Sequence, residues 1–244
     1  MSEPAAVEAP TTFGWRGLGM TAAVGMVIWL IAGFFLLGGV DPFAAGFALI
    51  YGVISILLRR EGRVGPIALL IVSGLLVLMI AIIGSADLVH PESWRGFVGT
   101  LGVLLLAATG VLAGTGVLRG WGIDWAARIG VSAAAILITG VVLGLGAAAS
   151  LENDTAQPGD LVVTAQDVRF HSTGLVAPGG TVSVFVKNQD PIRHTFTIRA
   201  LGVDLELPAG TDRRTTFEAR EGTYTVVCDI PGHEAMSLAL TIEG

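Results

Sequence analysis

Hydrophobic and polar positions along this chain follow two regimes that meet near residue 150. Before that point, long apolar runs are separated by short polar connections; after it, apolar residues come in short alternating runs broken by Gly and Pro. A helix needs roughly 20 apolar residues to cross about 30 Å of hydrocarbon. Five segments qualify as spans: Leu18–Val40, Phe43–Leu58, Val64–Gly84, Phe97–Leu118 and Ala126–Ala149, the second being the shortest. Only Asp41-Pro42 separates the first two, so these are expected to form a helical hairpin.

From Leu161 onward the period changes to two, the signature of strands in an antiparallel all-β fold. The expected strands are Leu161–Gln166, Thr181–Lys187, His194–Ala200, Val203–Leu207, Arg214–Ala219, Thr223–Cys228 and Ser237–Ile242. Turn signals stand at Pro178-Gly179-Gly180, Pro208-Ala209-Gly210 and Glu221-Gly222. Seven short strands in one small domain suit a Greek-key sandwich. Alternation puts Tyr224, Val226 and Cys228 on one face, and Leu238, Leu240 and Ile242 on one face of the last strand. The fold class is thus an α-helical membrane domain of five transmembrane helices followed by an all-β Greek-key sandwich. The boundaries are a cytoplasmic tail at 1–17, the five-helix anchor at 18–150, a linker at 151–159 and the sandwich at 160–244. The ten residues 151–160 reach at most about 35 Å when extended, which keeps the sandwich near the membrane.

Composition supports the division. The chain of 244 residues is 52% hydrophobic and 14% charged, with a mean hydropathy of +0.73, too apolar for one soluble domain. Residues 1–150 carry seven basic and seven acidic side chains, and residues 151–244 carry seven basic and thirteen acidic ones. The second part is therefore an acidic module without the basic footprint of a nucleic-acid binder. Arg16, Arg59, Arg60, Arg63, Arg119 and Arg128 flank the spans on one side, and Arg95 stands alone on the other. The positive-inside rule then places the N-terminus in the cytoplasm and residues 151–244 outside the plasma membrane, in an extracellular or periplasmic space. The first 15 residues read as a short cytoplasmic tail, with no small-residue cleavage site after the first span.

Within the spans no Asp, Glu, Lys or His lies deep, which removes the usual groups of transporters, proton relays and haems held by paired histidines. Gly110-xxx-Gly114 and Gly140-xxx-Gly144 permit close helix contact, and ordinary intramolecular packing is the expected use. His90 and Trp94, in the outward loop 87–96, read as interfacial residues.

The chemistry gathers at one place. The stretch Cys228-Asp-Ile-Pro-Gly-His233-Glu-Ala-Met236 delivers a thiolate, an imidazole and a thioether within nine residues, and Pro231-Gly232 lets the loop fold back. Cys228 is the only cysteine, which excludes an internal disulfide and any centre needing two thiolates from this chain. His194, opening the strand His194-Thr-Phe-Thr-Ile198, is placed to supply a second imidazole. Two His and one Cys with a weak axial Met form the ligand set of copper electron transfer. Zinc could take Cys-His-His, but a structural zinc site needs no thioether and a catalytic one wants a general base nearby. Met236 has a second reading, as the start of the last strand's apolar face. His171, in Phe170-His-Ser-Thr-Gly174, fits no part of the array and reads as a loop residue.

Residues 160–244 resemble the plastocyanin/azurin superfamily of cupredoxins in four stretches: Val176-Ala-Pro-Gly-Gly-Thr-Val182, Asn188–Ile198, Gly222-Thr-Tyr-Thr-Val-Val-Cys228 and the loop ending in Met236. The resemblance implies one type 1 copper ion, with His194 as upstream imidazole, Cys228 as thiolate, His233 as the imidazole whose edge serves as electron port, and Met236 as axial ligand. Two departures stand out: only two residues separate His233 from Met236, and Thr195 stands where plastocyanin-like proteins often place an Asn that braces the cysteine loop. The expected function is a membrane-anchored one-electron carrier, not an enzyme, working between a redox protein donor and an acceptor. Copper delivery or sensing is the alternative, though this part of the chain has a single Met and no closely spaced His pair. Copper catalysis would require further His-x-His ligands, which the sequence lacks.

Overall fold

The computed structural model describes residues 14–37, 39–122, 124–172 and 174–244. Residues 1–13 of the expected tail lie outside the described residues, as do Gly38 of the first expected span and Thr173 beside His171. The chain divides into two compact units, one holding most of the helical residues and the other holding the sandwich together with 83–100 and 140–149.

Among the described residues five helices are long and apolar enough to cross a membrane. They are α1 (Trp15–Leu37), α2 (Pro42–Arg59), α3 (Val64–Ile82), α4 (Trp94–Arg119) and α5 (Asp124–Ala149). Their inward residues include Met26, Tyr51, Leu69 and Ala113, while Ile28, Ile71 and Ile138 face outward, as lipid-facing positions would. A buried hydroxyl inside such a bundle needs a partner. Tyr51 Oη and Ser73 Oγ supply one another across α2 and α3 at 2.9 Å.

The first two spans double back on one another as expected, but they are not the most closely packed pair. Asp41 caps α2, its carboxylate accepting from Phe43 N at 2.9 Å, with Pro42 in the first turn, and the chain reverses there: Arg16 at the start of α1 donates to the carbonyls of Arg60 and Gly62 just beyond the end of α2. The close hairpin is α2 with α3, where a Cβ on Gly65 would stand 2.9 Å from the Leu57 backbone. Gly110 and Gly114 do pack within the chain, against Ser73 of α3 and the Pro66 carbonyl respectively. The loop expected at 87–96 is more ordered than its polarity suggests. Gly84–Val89 forms a 3₁₀ turn, His90 Nδ1 lies 2.8 Å from Glu92, and Trp94 begins α4.

The sandwich contains nine strands among the described residues. These are β1 (Leu161–Gln166), β2 (Arg169–His171), β3 (Leu175–Pro178), β4 (Gly180–Asn188), β5 (His194–Ile198), β6 (Val203–Leu207), β7 (Asp212–Ala219), β8 (Gly222–Val227) and β9 (Ser237–Glu243). One sheet has the order β2-β1-β4-β7, the other β3-β9-β8-β5-β6. Pairing is not antiparallel throughout, as the alternation suggested: β1 with β4 and β3 with β9 are parallel. The chain leaves β1 by a hairpin to β2 and crosses to the far edge of the other sheet as β3 before returning as β4, which leaves β1 and β4 pointing the same way. β2 and β3 escape the sequence pattern because they are three and four residues long, and β3 ends in a proline tolerated only at a sheet edge. His171 closes β2 rather than lying in a loop.

β5 is the central feature. It is buried along its whole length. His194, Phe196 and Ile198 share the core face, while Thr195 and Thr197 share the other. Phe196 meets Phe170 edge-to-face with ring centroids 6.0 Å apart. β5 stops at Ile198 rather than at residue 200, because Arg199–Leu201 turns into a 3₁₀ segment closed by Gly202 at φ +65°. At the other end of the domain, residues 152–154 of the expected linker are tied along β7: Asp154 N donates to Asp212 O, and Asp212 N donates to Asn153 Oδ1. Arg214 then grips Asp160 just before β1 through Nη2 at 2.9 Å and Nε at 2.9 Å.

Two outcomes check this packing. Phe196→Ala should remove about 3–5 kcal/mol from the sandwich, read as faster amide hydrogen exchange across 160–244. All five tryptophans lie before residue 126, so their fluorescence reports the helices instead. Gly114→Leu should lower the thermal midpoint of the detergent-solubilised chain, since its Cβ would meet a backbone carbonyl at 2.8 Å; Gly146→Leu, with open space around it, should not.

Candidate metal centre

The antiparallel pairing of Thr197 with Val227 brings the end of β8 beside the start of β5. Cys228 follows β8 immediately, and its thiol lies on the core side with 5% exposure. The loop beyond it closes through two consecutive turns. His233 N donates to Ile230 O at 3.0 Å across Pro231-Gly232, and Met236 N donates to His233 O at 2.8 Å. Gly232 has φ +91°, the value that the third position of such a turn demands and that a side chain would strain. Cys228 N then donates to Met236 O at 3.1 Å, which locks the loop's two ends together.

Three of the four sequence-predicted residues converge. His194 Nδ1 lies 3.2 Å from His233 Nδ1 and 3.9 Å from Cys228 Sγ, and Cys228 Sγ lies 3.5 Å from His233 Nδ1. A point equidistant from these atoms is about 2.1 Å from each, against metal–imidazole bonds of about 2.0–2.1 Å and metal–thiolate bonds of about 2.3 Å. The triangle thus has the dimensions of a metal site, and its donors, one soft sulfur and two imidazole nitrogens, fit a copper ion. Met236 is buried, 1% exposed, in the core cluster that also contains Cys228, so its side chain lies inside the sandwich beside the site rather than in solvent. His171 and His90 are not among the three clustered donors: His171 Nε2 lies 3.2 Å from Gln166 O, and His90 Nδ1 lies 2.8 Å from Glu92.

Neighbouring polar groups fix the donors. Thr195 N donates to Cys228 Sγ at 3.4 Å, and the Thr195 hydroxyl accepts from Asp229 N at 2.8 Å. Thr195 therefore braces the cysteine loop in the place where the resemblance led one to expect Asn. Its hydroxyl lies 3.0 Å from that of Thr197, which donates to Asp204 Oδ1 at 2.9 Å. Asp229 is held in turn by Arg199 at 2.6 Å.

The residue that the sequence motif did not reveal is Asp190. It is 6% exposed, and its Oδ2 lies 2.7 Å from His194 Nε2. The available signal was a carboxylate four residues before an expected ligand histidine, but that segment reads simply as a polar turn.

Burial sets the charge states here. Desolvation holds both His194 and His233 below the ordinary histidine value; the Asp190 carboxylate pulls partly the other way at His194, and the nearby His194 adds to the depression at His233. At Asp190 desolvation pushes upward, but the amides of Val168 and Asp167 and the His194 imidazole outweigh it, leaving the carboxyl below its usual range.

A family model described as a cupredoxin-like domain matches residues 135–238, beginning inside α5 and ending within β9. The C-terminal part of the chain is therefore a cupredoxin-like domain, and with its His-Cys-His cluster it suits copper binding of the electron-transfer type. Among solved structures, a copper(I) form of an amicyanin mutant is 19% identical over 36% of this chain and 86% of that one, with a TM-score of 0.30. The reduced state of a second amicyanin mutant gives the same figures, and the oxidised state of another is 20% identical at a TM-score of 0.30. No curated protein matches the chain.

The depressed imidazoles predict a direction for pH dependence in the metal-free protein. Unfolding frees both rings to protonate near their ordinary value of about 6.5, so the unfolded chain binds more protons and stability falls as pH drops through that value. Amide exchange across 160–244 should accelerate between pH 7.5 and 5.5, and His233→Gln should flatten the trend.

Proposed function

We propose that the chain is a membrane-anchored blue-copper electron carrier, with His194, Cys228, His233 and Met236 holding one type 1 copper ion. The observation that carries this reading is the triangle of two Nδ1 atoms and one Sγ, assembled from β5, the end of β8 and the turn after it. Copper bound there supplies a one-electron couple between Cu(II) and Cu(I). The four side chains have separate tasks. Cys228 offers the thiolate, restrained by the Thr195 amide, and His194 offers a fully buried imidazole, 0% exposed. Met236, buried in the same core cluster as Cys228, would offer a thioether as the fourth, weaker donor. His233 is the one member of the trio that solvent reaches, so its ring edge is the electron port.

Rigidity supports the same conclusion. Electron transfer is fast when neither oxidation state requires its ligands to move, and these donors are fixed by strand pairing, two turns and the Cys228–Met236 backbone bond. No substrate pocket is required, and the chain is not an enzyme in this reading. The arginine asymmetry of the spans supports a cytoplasmic N-terminus and a sandwich on the outer face of the plasma membrane. The helices hold the carrier at high effective concentration beside its membrane redox partners, a donor and an acceptor protein.

The test is to load the detergent-solubilised chain with Cu(II) and record optical and EPR spectra with a redox titration. An intense thiolate-to-copper band with reversible one-electron behaviour is expected; a colourless protein that surrenders Cu(I) readily to a chelator would contradict the carrier. Cys228→Ser should abolish the band. Met236→Leu should keep it and raise the reduction potential, because an apolar side chain replaces a donor.

A further inference from the structure

Asp190 does more than fill a turn. Its Oδ1 accepts from Asp167 N at 2.8 Å, its Oδ2 accepts from Val168 N at 3.0 Å, and Oδ2 also lies 2.7 Å from His194 Nε2. Two of these three partners are backbone amides, which can only donate, so the carboxylate is the acceptor in the cluster. The third partner, His194 Nε2, then carries a proton, and Nδ1 is left with its lone pair facing Cys228 and His233. The tautomer needed for metal binding is thereby set before any ion arrives.

A second observation concerns the amides themselves. Asp167 and Val168 join β1 to β2 with φ of +54° and +55°. Two consecutive residues at positive φ make the turn that normally selects Asn-Gly, and a β-branched valine there is strained. In that conformation the two adjacent N–H groups both reach Asp190. Strain held at such a position points to function. The carboxylate is also fixed from its own side: Asp190 N donates to Asn188 Oδ1 at 3.0 Å, and Asn188 Nδ2 donates to Ile192 O at 2.9 Å.

We propose that Asp190 is the positioning residue of the centre: clamped by the strained Asp167-Val168 turn, it keeps the proton of His194 on Nε2 and, through that imidazole, biases the bound metal toward Cu(II). A carboxylate accepting from the far nitrogen of a ligand histidine raises the basicity of the near one, and a more basic donor favours the higher charge. The second half of the statement rests on the copper reading above; the first half does not.

The experiment uses the full chain in detergent with its four histidines labelled with ¹⁵N. In the metal-free protein, His194 should show a single Nε2–H tautomer, and Asp190→Asn, whose amide can donate as well as accept, should populate the Nδ1–H form. After copper loading, Asp190→Asn should lose about tenfold or more in Cu(II) affinity with Cu(I) affinity nearly unchanged, which raises the potential by about 59 mV per tenfold. Asp190→Glu should recover part of both effects. An Nδ1–H tautomer in the wild-type metal-free protein would overturn the proposal without any variant, even if Asp190→Asn fails to fold. An unchanged potential in a folded, blue Asp190→Asn protein would overturn its second half. Absence of the blue band from the wild type would instead strike the copper reading, with the tautomer still judging Asp190.

Discussion

The hydrogen bond between His194 and Asp190 is the contact on which the open end of the sandwich depends. It joins β5 of the five-stranded sheet to the connection leaving β4 of the other sheet, and through Asp167 and Val168 to the β1–β2 turn. Without it, a fully buried imidazole would have one nitrogen unpaired in the core, a desolvation cost of about 1–3 kcal/mol. With it, polar groups can be stored deep in the fold while their lone pairs still converge on one point. Thr195 repeats the principle from the opposite face of β5, giving its amide to Cys228 Sγ and its hydroxyl to the Asp229 amide. The centre is thus polar matter that the sandwich tolerates because almost every group is spoken for.

The helical unit solves the opposite problem. Its inward residues are held by shape rather than by polar pairing: small residues on α4 let α3 approach to within the reach of a single Cβ, and the Tyr51–Ser73 pair bridges α2 and α3. Among the described residues of α1–α5 the buried polar side chains are Ser73 and Thr109, and the rest of the inward face is apolar or aromatic.

How far the sequence could be read follows from the range of each interaction. Cys228, His233 and Met236 were legible because one nine-residue loop carries them, and His194 because it opens a strongly alternating strand; the structure brings the two histidines and the cysteine together and buries the methionine beside them. The five apolar helices were legible from length alone. The parallel pairing of β1 with β4 was not, since it is decided by a chain excursion to the other sheet, and the strands making that excursion are too short to show a period. Asp190 stayed hidden for a related reason: its three partners come from two segments, 167–168 and 194, and nothing local to residue 190 names them.

The unequal exposure of the three donors has a further consequence. His194 and Cys228 are buried and His233 is half-buried, so an ion held by the three donors would be reached from solvent across the His233 ring. On the proposed carrier reading, a partner protein seated on that ring would also stand across the ion's exit, and chelators would compete for the metal only between encounters.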